Sequence, residues 1–168
     1  PNSSVLSFGS GFPAGLRNFV EKQPHVQNAA GILVQPLGGL GNSVNGVDLA
    51  SCNLVSGGFR VLKGRMFRNE NEMVVDDYYA RRQSIQVGDT IDLLNRHWYV
   101  SGIVQAGMLS RIVVPLRVLQ ELTANTGKLS ILYVKLDNPV YTGAVIEALK
   151  SKMEDYPIYS MEDLMAAM

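Results

Sequence analysis

The chain has 168 residues, 46% hydrophobic and 18% charged, enough for one ordinary domain or two small lobes, which argues against disorder. Its 15 basic and 15 acidic side chains cancel, so neither a duplex nucleic-acid binder nor a polybasic membrane binder is expected. A single cysteine, Cys52, cannot close an intramolecular disulfide and reads as a small half-buried hydrophobe.

The opening SVLSFGSG alternates weakly and ends in two glycines, which predicts a first strand closing in a turn. Pro13 suits the first turn of a helix, Leu16, Phe19 and Val20 fall at helical spacing, and Pro24 marks the stop. An extended segment follows from Val26, with Ile32 and Val34 on one face, so the chain opens strand, helix, strand. GGLGNSVNG, over residues 38–46, is the clearest loop and the candidate lobe boundary. VDLASCNLV is expected as a strand, and SGGFRVLKGRMF as a short helix or turn carrying Phe59, Val61 and Leu62 into a core. A strand over 73–75 and a short helix over 77–82 come next.

VGDTIDLLNRHWYVSGIV then reads as a hairpin. Ile91 and Leu93 alternate with Thr90 and Asp92, and a two-residue turn is placed at Asn95-Arg96, where Asn tolerates positive φ. Trp98 and Val100 share a face; Ile103 breaks the alternation, which points to a bulge near Gly102. One hairpin is not stable alone, so it belongs to a larger sheet or small barrel. RIVVPL supplies another strand, and Pro115 opens a helix.

The last third is strand (KLSILYVKLDN), amphipathic helix, and short strand (PIYS). Val145, Leu149 and Met153 form the helix stripe, with Tyr141 and Ile146 alongside. Ser160 with Asp163 resembles a capping box for a final helix. The end thus repeats the opening, which predicts an α+β fold: a lobe of βαβ units from both chain ends (1–47 and 119–168) and an inserted small β-rich lobe (48–118). The start at Pro1 and the stop at Met168 inside SMEDLMAAM read as the ends of a piece excised from a longer protein, and those ends are expected to be neighbours.

No constellation calls for catalysis. His25 and His97 lack a second ligand at a metal interval, so no metal site is expected. Asp76-Asp77, before YYARR, is assigned to helix capping rather than acid–base work. GSG and GGLGN do not complete a phosphate loop, and no Gly-x-Ser-x-Gly elbow is present, so neither a cofactor nor a catalytic residue is assigned. Met108 and Leu109, apolar residues between two strands, are the candidate partner-binding residues, weighed evenly against folding back into the core.

Several segments, in order, resemble the MacB-type, FtsX-like extracytoplasmic domain of ABC transporter permeases. They are Gly64-Arg65-Met66-Phe67, Met73-Val74-Val75, Gly88-Asp89-Thr90-Ile91 and Tyr99-Val100-Ser101-Gly102-Ile103-Val104. The resemblance implies a periplasm-facing domain at the inner membrane, held between two transmembrane helices, with a porter lobe built from both ends and a reduced inserted lobe. It implies a non-catalytic domain that relays movement of a cytoplasmic ABC ATPase subunit or domain, in a homodimer or heterodimer of permeases. A periplasmic adaptor or a lipoprotein chaperone is the further partner it admits. The alternative is a stand-alone periplasmic binding or adaptor module.

Overall fold

The computed structural model describes residues 4–38, 42–107 and 111–167, with side chains from residue 11 onward. The chain runs β1 (Ser4–Pro13), α1 (Gly15–Glu21), β2 (Val26–Pro36), β3 (Ser43–Val47) and α2 (Leu49–Ser56). It continues through β4 (Val61–Gly64), β5 (Glu72–Asp76), α3 (Asp77–Gln83), β6 (Thr90–Leu93) and β7 (Arg96–Val104). It ends with β8 (Ile112–Pro115), α4 (Leu116–Leu122), β9 (Lys128–Leu136), a 3-10 turn (Pro139–Tyr141), α5 (Thr142–Lys152), β10 (Ile158–Ser160) and α6 (Met161–Ala166). The fold is α+β, and no helix among the described residues is long and apolar enough to cross a membrane.

Two compact units emerge. The first comprises Pro1–Ile32, Asp48–Gly58 and Gly127–Met168; the second comprises Leu33–Val47 and Phe59–Thr126. Strand β2 lies in the first through Ile32 and in the second from Leu33.

In the first unit the strand order is β10-β1-β9-β2, every neighbouring pair antiparallel. Each βαβ unit is therefore split, its two parallel strands separated by a strand of the other, the interleaving of a ferredoxin-like sheet. The first and last strands pair, with Val5 opposite Ser160. Helix α5 buries the expected stripe of Val145, Leu149 and Met153. Burial of such side chains contributes about 1.5–3 kcal/mol each. Ser160 caps α6 by accepting from the Asp163 N–H at 3.0 Å.

Strand β1 does not turn at its glycines, as the sequence suggested. It continues to Pro13, and the register against β9 slips between Phe8 and Phe12, where Gly11 adopts φ +76°. The glycines absorb an irregularity that the side chains of other residues would resist. Pro13 accordingly ends β1 rather than opening α1. The predicted strand over VDLASCNLV is helix α2: Asp48 accepts from the Ser51 N–H at one end, and Gly57 closes the other at φ +80°.

The second unit orders its strands β2-β3-β8-β5-β7-β4, with β6 paired to β7. Strand β5 is buried along its whole length between β8 and β7. Its core gathers Met73, Val75, Trp98, Val100, Ile112, Val114 and Leu119, and the Trp98 indole N–H donates to the Leu93 carbonyl at 2.9 Å. Part of the predicted loop is strand: Ser43–Val47 pairs parallel with β8, while residues 39–41 lie outside the described residues. Gly46 is needed there because a Cβ would stand 3.0 Å from Leu119 and 3.1 Å from the Leu116 backbone, so α4 can lie close on β3.

SGGFRVLKGRMF is neither helix nor turn at its centre. Residues 61–64 form strand β4, antiparallel to β7, and Val61 and Leu62 are exposed rather than buried, with Phe59 half-buried. The hairpin is present, but its turn is one residue earlier. Leu93 pairs with Arg96, and Leu94 and Asn95 carry φ of +54° and +57°, the two positive values of a type I′ turn. A leucine in that conformation costs about 1 kcal/mol. Leu94 also packs against the core, so the change to make is at the exposed Asn95: Asn95→Gly is expected to raise stability by a few tenths of a kcal/mol, read as a higher denaturation midpoint. The bulge expected near Gly102 is found: β5 advances one residue from Met73 to Val74 while β7 advances two, from Val100 to Gly102.

Candidate functional site

The chemistry-bearing side chains do not converge. His25 belongs to the first unit, its ring stacked on Tyr141 at 3.6 Å and its Nδ1 3.4 Å from Asp137. His97 belongs to the second unit and pairs with Asp92 on the exposed face of the hairpin. Among the described residues, no three His, Cys, Asp or Glu side chains are grouped to hold a metal ion. Cys52 is buried, and burial pushes its thiol above the usual range, which makes it a poor nucleophile. Among the described residues, every buried side-chain nitrogen and oxygen has a hydrogen-bond partner.

Asp76 and Asp77 act as the sequence suggested. Asp76 is fully buried, caps α3 by accepting from the Tyr79 N–H at 2.6 Å, and pairs with Arg111 at 3.2 Å. Asp77 sits in the first turn, where negative charge is favoured, and accepts from the Ala106 N–H at 2.9 Å. The two carboxylates thereby tie Ala106 and Arg111 to the start of α3. Met108 and Leu109, the candidate partner-binding residues, lie outside the described residues.

The motifs that carry the family resemblance form a structural lock in the second unit. Gly64 adopts φ +70°, and a Cβ there would stand 2.3 Å from the Ser101 carbonyl oxygen. A Cβ on Gly102 would stand equally close, 2.3 Å, to the Arg65 carbonyl oxygen. The two glycines thus let β4 and the bulge of β7 touch backbone to backbone, sealed by the Arg65 N–H donating to the Ser101 carbonyl at 2.9 Å. Arg65 then reaches Glu72 in a two-pronged contact at 2.6 and 3.0 Å, while the Arg68 and Asn69 N–H groups donate to the same carboxylate. The Arg65 contact, aided by these backbone donors, holds the Glu72 carboxyl down at about 2. Phe67 is buried two residues beyond Arg65. Gly88, with φ +98°, donates to the Val100 carbonyl, and Asp89 accepts from the Gln86 N–H, so this motif also holds a loop against β7.

What the sequence did not reveal is a surface on the second unit made by β4 and α3. Leu62, Ile85 and Ile103 line an open groove there, with Lys63, Asp77 and Arg81 beside them. Next to it, Tyr78 lies under two guanidinium groups, with Arg111 at 4.4 Å and Arg82 at 5.6 Å from the ring centre. The exposed apolar pair Val61-Leu62, preceded by Arg60 and followed by Lys63, was its signal in the chain.

Residues 3–152 match the family described as the MacB-like periplasmic core domain. The structure is similar to the periplasmic region of MacB from Actinobacillus actinomycetemcomitans, with TM-score 0.67 and 17% identity, covering 99% of this chain and 92% of that one. It is also similar to the extracellular domain of the noncanonic ABC-type transporter YknZ from Gram-positive bacteria, with TM-score 0.69 and 14% identity, covering 94% and 100%. Comparison with curated proteins finds no match. At these identities the two structures establish a shared fold, and the family match spans most of the chain, with the Gly64-Arg65-Met66-Phe67 lock, the β7 bulge and strands β1, β2 and β9 inside it. The chain belongs to the family of MacB-like periplasmic core domains, the ABC transporter permease domain that its motifs resemble.

Proposed function

We propose that this domain relays ATP-driven conformational change within an ABC transporter permease, to export or extract a substrate or to regulate an extracytoplasmic partner. The observation that carries this reading is the pairing of β1 with β10. Val5 lies opposite Ser160, so the start of β1 and the end of β10 are segments that lie side by side. A unit gripped at both ends by adjacent strands moves as one body when those segments move. ATP hydrolysis belongs to a separate cytoplasmic subunit or domain, and the permease acts as a pair of homologous or identical chains at the inner membrane. Met108 and Leu109 are proposed as contacts with an adaptor or a lipoprotein chaperone, since methionine adapts to varied apolar surfaces. Serine at both positions is expected to weaken that contact in the assembled complex without changing thermal unfolding.

The relay is tested with a spin label at Val140, which is 74% exposed, in both copies of the intact permease. The distance between labels is expected to shift between ATP-bound and ADP-bound states. An unchanged distance distribution would remove the relay. The isolated chain is expected to hydrolyse no ATP, and hydrolysis that disappears on mutation of the chain would overturn the proposal.

A further inference from the structure

We propose that the β4–α3 face of the second unit takes up an extended segment of a partner protein, one alternating apolar and acidic side chains, as an added strand on β4. Strand β4 ends the sheet order and pairs with β7 on one side; among the described residues no strand pairs with the other. All four of its residues are exposed, Val61 at 38% and Leu62 at 45%. Folded proteins blunt an open sheet edge with a short strand or with charge; β4 is short and carries Lys63, and it still leaves two adjacent hydrophobes, Val61 and Leu62, exposed. The groove beside it gives a partner side chain an apolar floor of Leu62, Ile85 and Ile103. Strand addition supplies main-chain hydrogen bonds, and such a groove supplies selectivity.

The charges decide the chemistry of the occupant. Lys63 and Arg81 line the groove, Arg60 immediately precedes β4, and Arg82 and Arg111 flank Tyr78 in the first turn of α3. The carboxylates facing them are Asp76, buried against Arg111, Asp77, shared between Arg81 and the Ala106 N–H, and Asp89, held by the Gln86 N–H. The face is left net positive, which favours an acidic partner. A second copy of this chain, paired β4 to β4, would set Arg60 and Lys63 against their own equivalents. The proposal rests on the reading above only in supposing an extracytoplasmic protein partner. Its test needs no permease, so the two fail separately.

The test is a titration of the 168-residue chain with an end-blocked peptide of alternating valine and glutamate, followed by backbone amide NMR and fluorescence anisotropy. Amide shifts are expected at residues 61–64 and along the neighbouring groove. Charge reversal in Lys63→Glu with Arg81→Glu is expected to weaken binding about tenfold or more, with unaltered thermal unfolding. A peptide with lysine in place of glutamate is expected not to bind. The proposal is overturned if the lysine peptide binds equally or if the shifts avoid β4. It is also overturned if the chain forms a dimer that Leu62→Glu dissociates, or if only anionic lipid vesicles bind this face.

Discussion

Replacing Glu72 by glutamine is expected to lower the stability of the chain by about 2–3 kcal/mol, the scale of lost hydrogen bonds to a charged group. The Glu72 side chain is 5% exposed and accepts from Arg65 and from two backbone N–H groups, so three donors lose a charged acceptor at once. Arg65, 38% exposed, turns toward water, which keeps the loss below that of a fully buried ion pair. The same contact sets an acid limit. The folded carboxyl sits at about 2 against an ordinary 4.5, so the folded state prefers the charged form. Its contribution is complete above about pH 5 and disappears as pH falls toward 2. That difference corresponds to at most about 3.5 kcal/mol, reduced by solvent at Arg65. Denaturant midpoints at pH 7, 5 and 3 are the measurement: the parent chain should lose ground between pH 5 and 3, and the Glu72→Gln chain should lose less. Equal slopes in the two chains would show that the contact is not what makes the fold acid-sensitive.

Gly102→Ala is expected to cost about 2–4 kcal/mol, more than an ordinary surface change, because its added methyl has no flexible neighbour to displace. The atoms it meets are the Arg65 carbonyl oxygen at 2.3 Å and the Arg65 carbonyl carbon at 3.0 Å. Gly64→Ala adds a second cost: the methyl meets the Ser101 carbonyl oxygen at 2.3 Å, and φ +70° is a conformation that L-residues avoid. Either change should part β4 from β7, so hydrogen exchange at the Arg65 and Gln105 amides, which bond across that pair, should accelerate before the rest of the unit opens. By contrast Gly143→Ala meets nothing within 4 Å on a helix and should be neutral or mildly stabilising. If Gly102→Ala behaved like Gly143→Ala, the backbone lock would be refuted.

The elements legible in the chain were those whose causes lie within a few residues. The Val145, Leu149 and Met153 stripe gives α5 its buried face without reference to any neighbour. Ser160 and Asp76 cap helices that begin beside them. The break in alternation after Val100 marks the β7 bulge, because one inserted residue flips every side chain that follows. Order and spacing of the Gly64, Val74, Gly88 and Val100 segments carried the family resemblance.

Local sequence failed where a distant partner decides. VDLASCNLV fits both a strand and a helix over so short a span; the Asp48 and Gly57 caps and packing on β9 select the helix. The exposed β4 exists because β7 offers it an edge, and Gly46, which read as a turn signal, is strand because β8 and α4 approach it. The turn moved from Asn95-Arg96 to Leu94-Asn95 because pairing of Leu93 with Arg96 sets the register, overriding the backbone cost at leucine.

By itself, then, the amino-acid order determined the α+β class, the helix stripes and caps, the bulge and the family. Tertiary structure alone decided which acid in RNENE receives Arg65, which glycines face a carbonyl and which apolar pair is left on an open edge. The physical reason is range. Periodicity and capping act over one or two turns of chain, whereas ion pairs, backbone contacts and sheet edges depend on which remote strand arrives alongside.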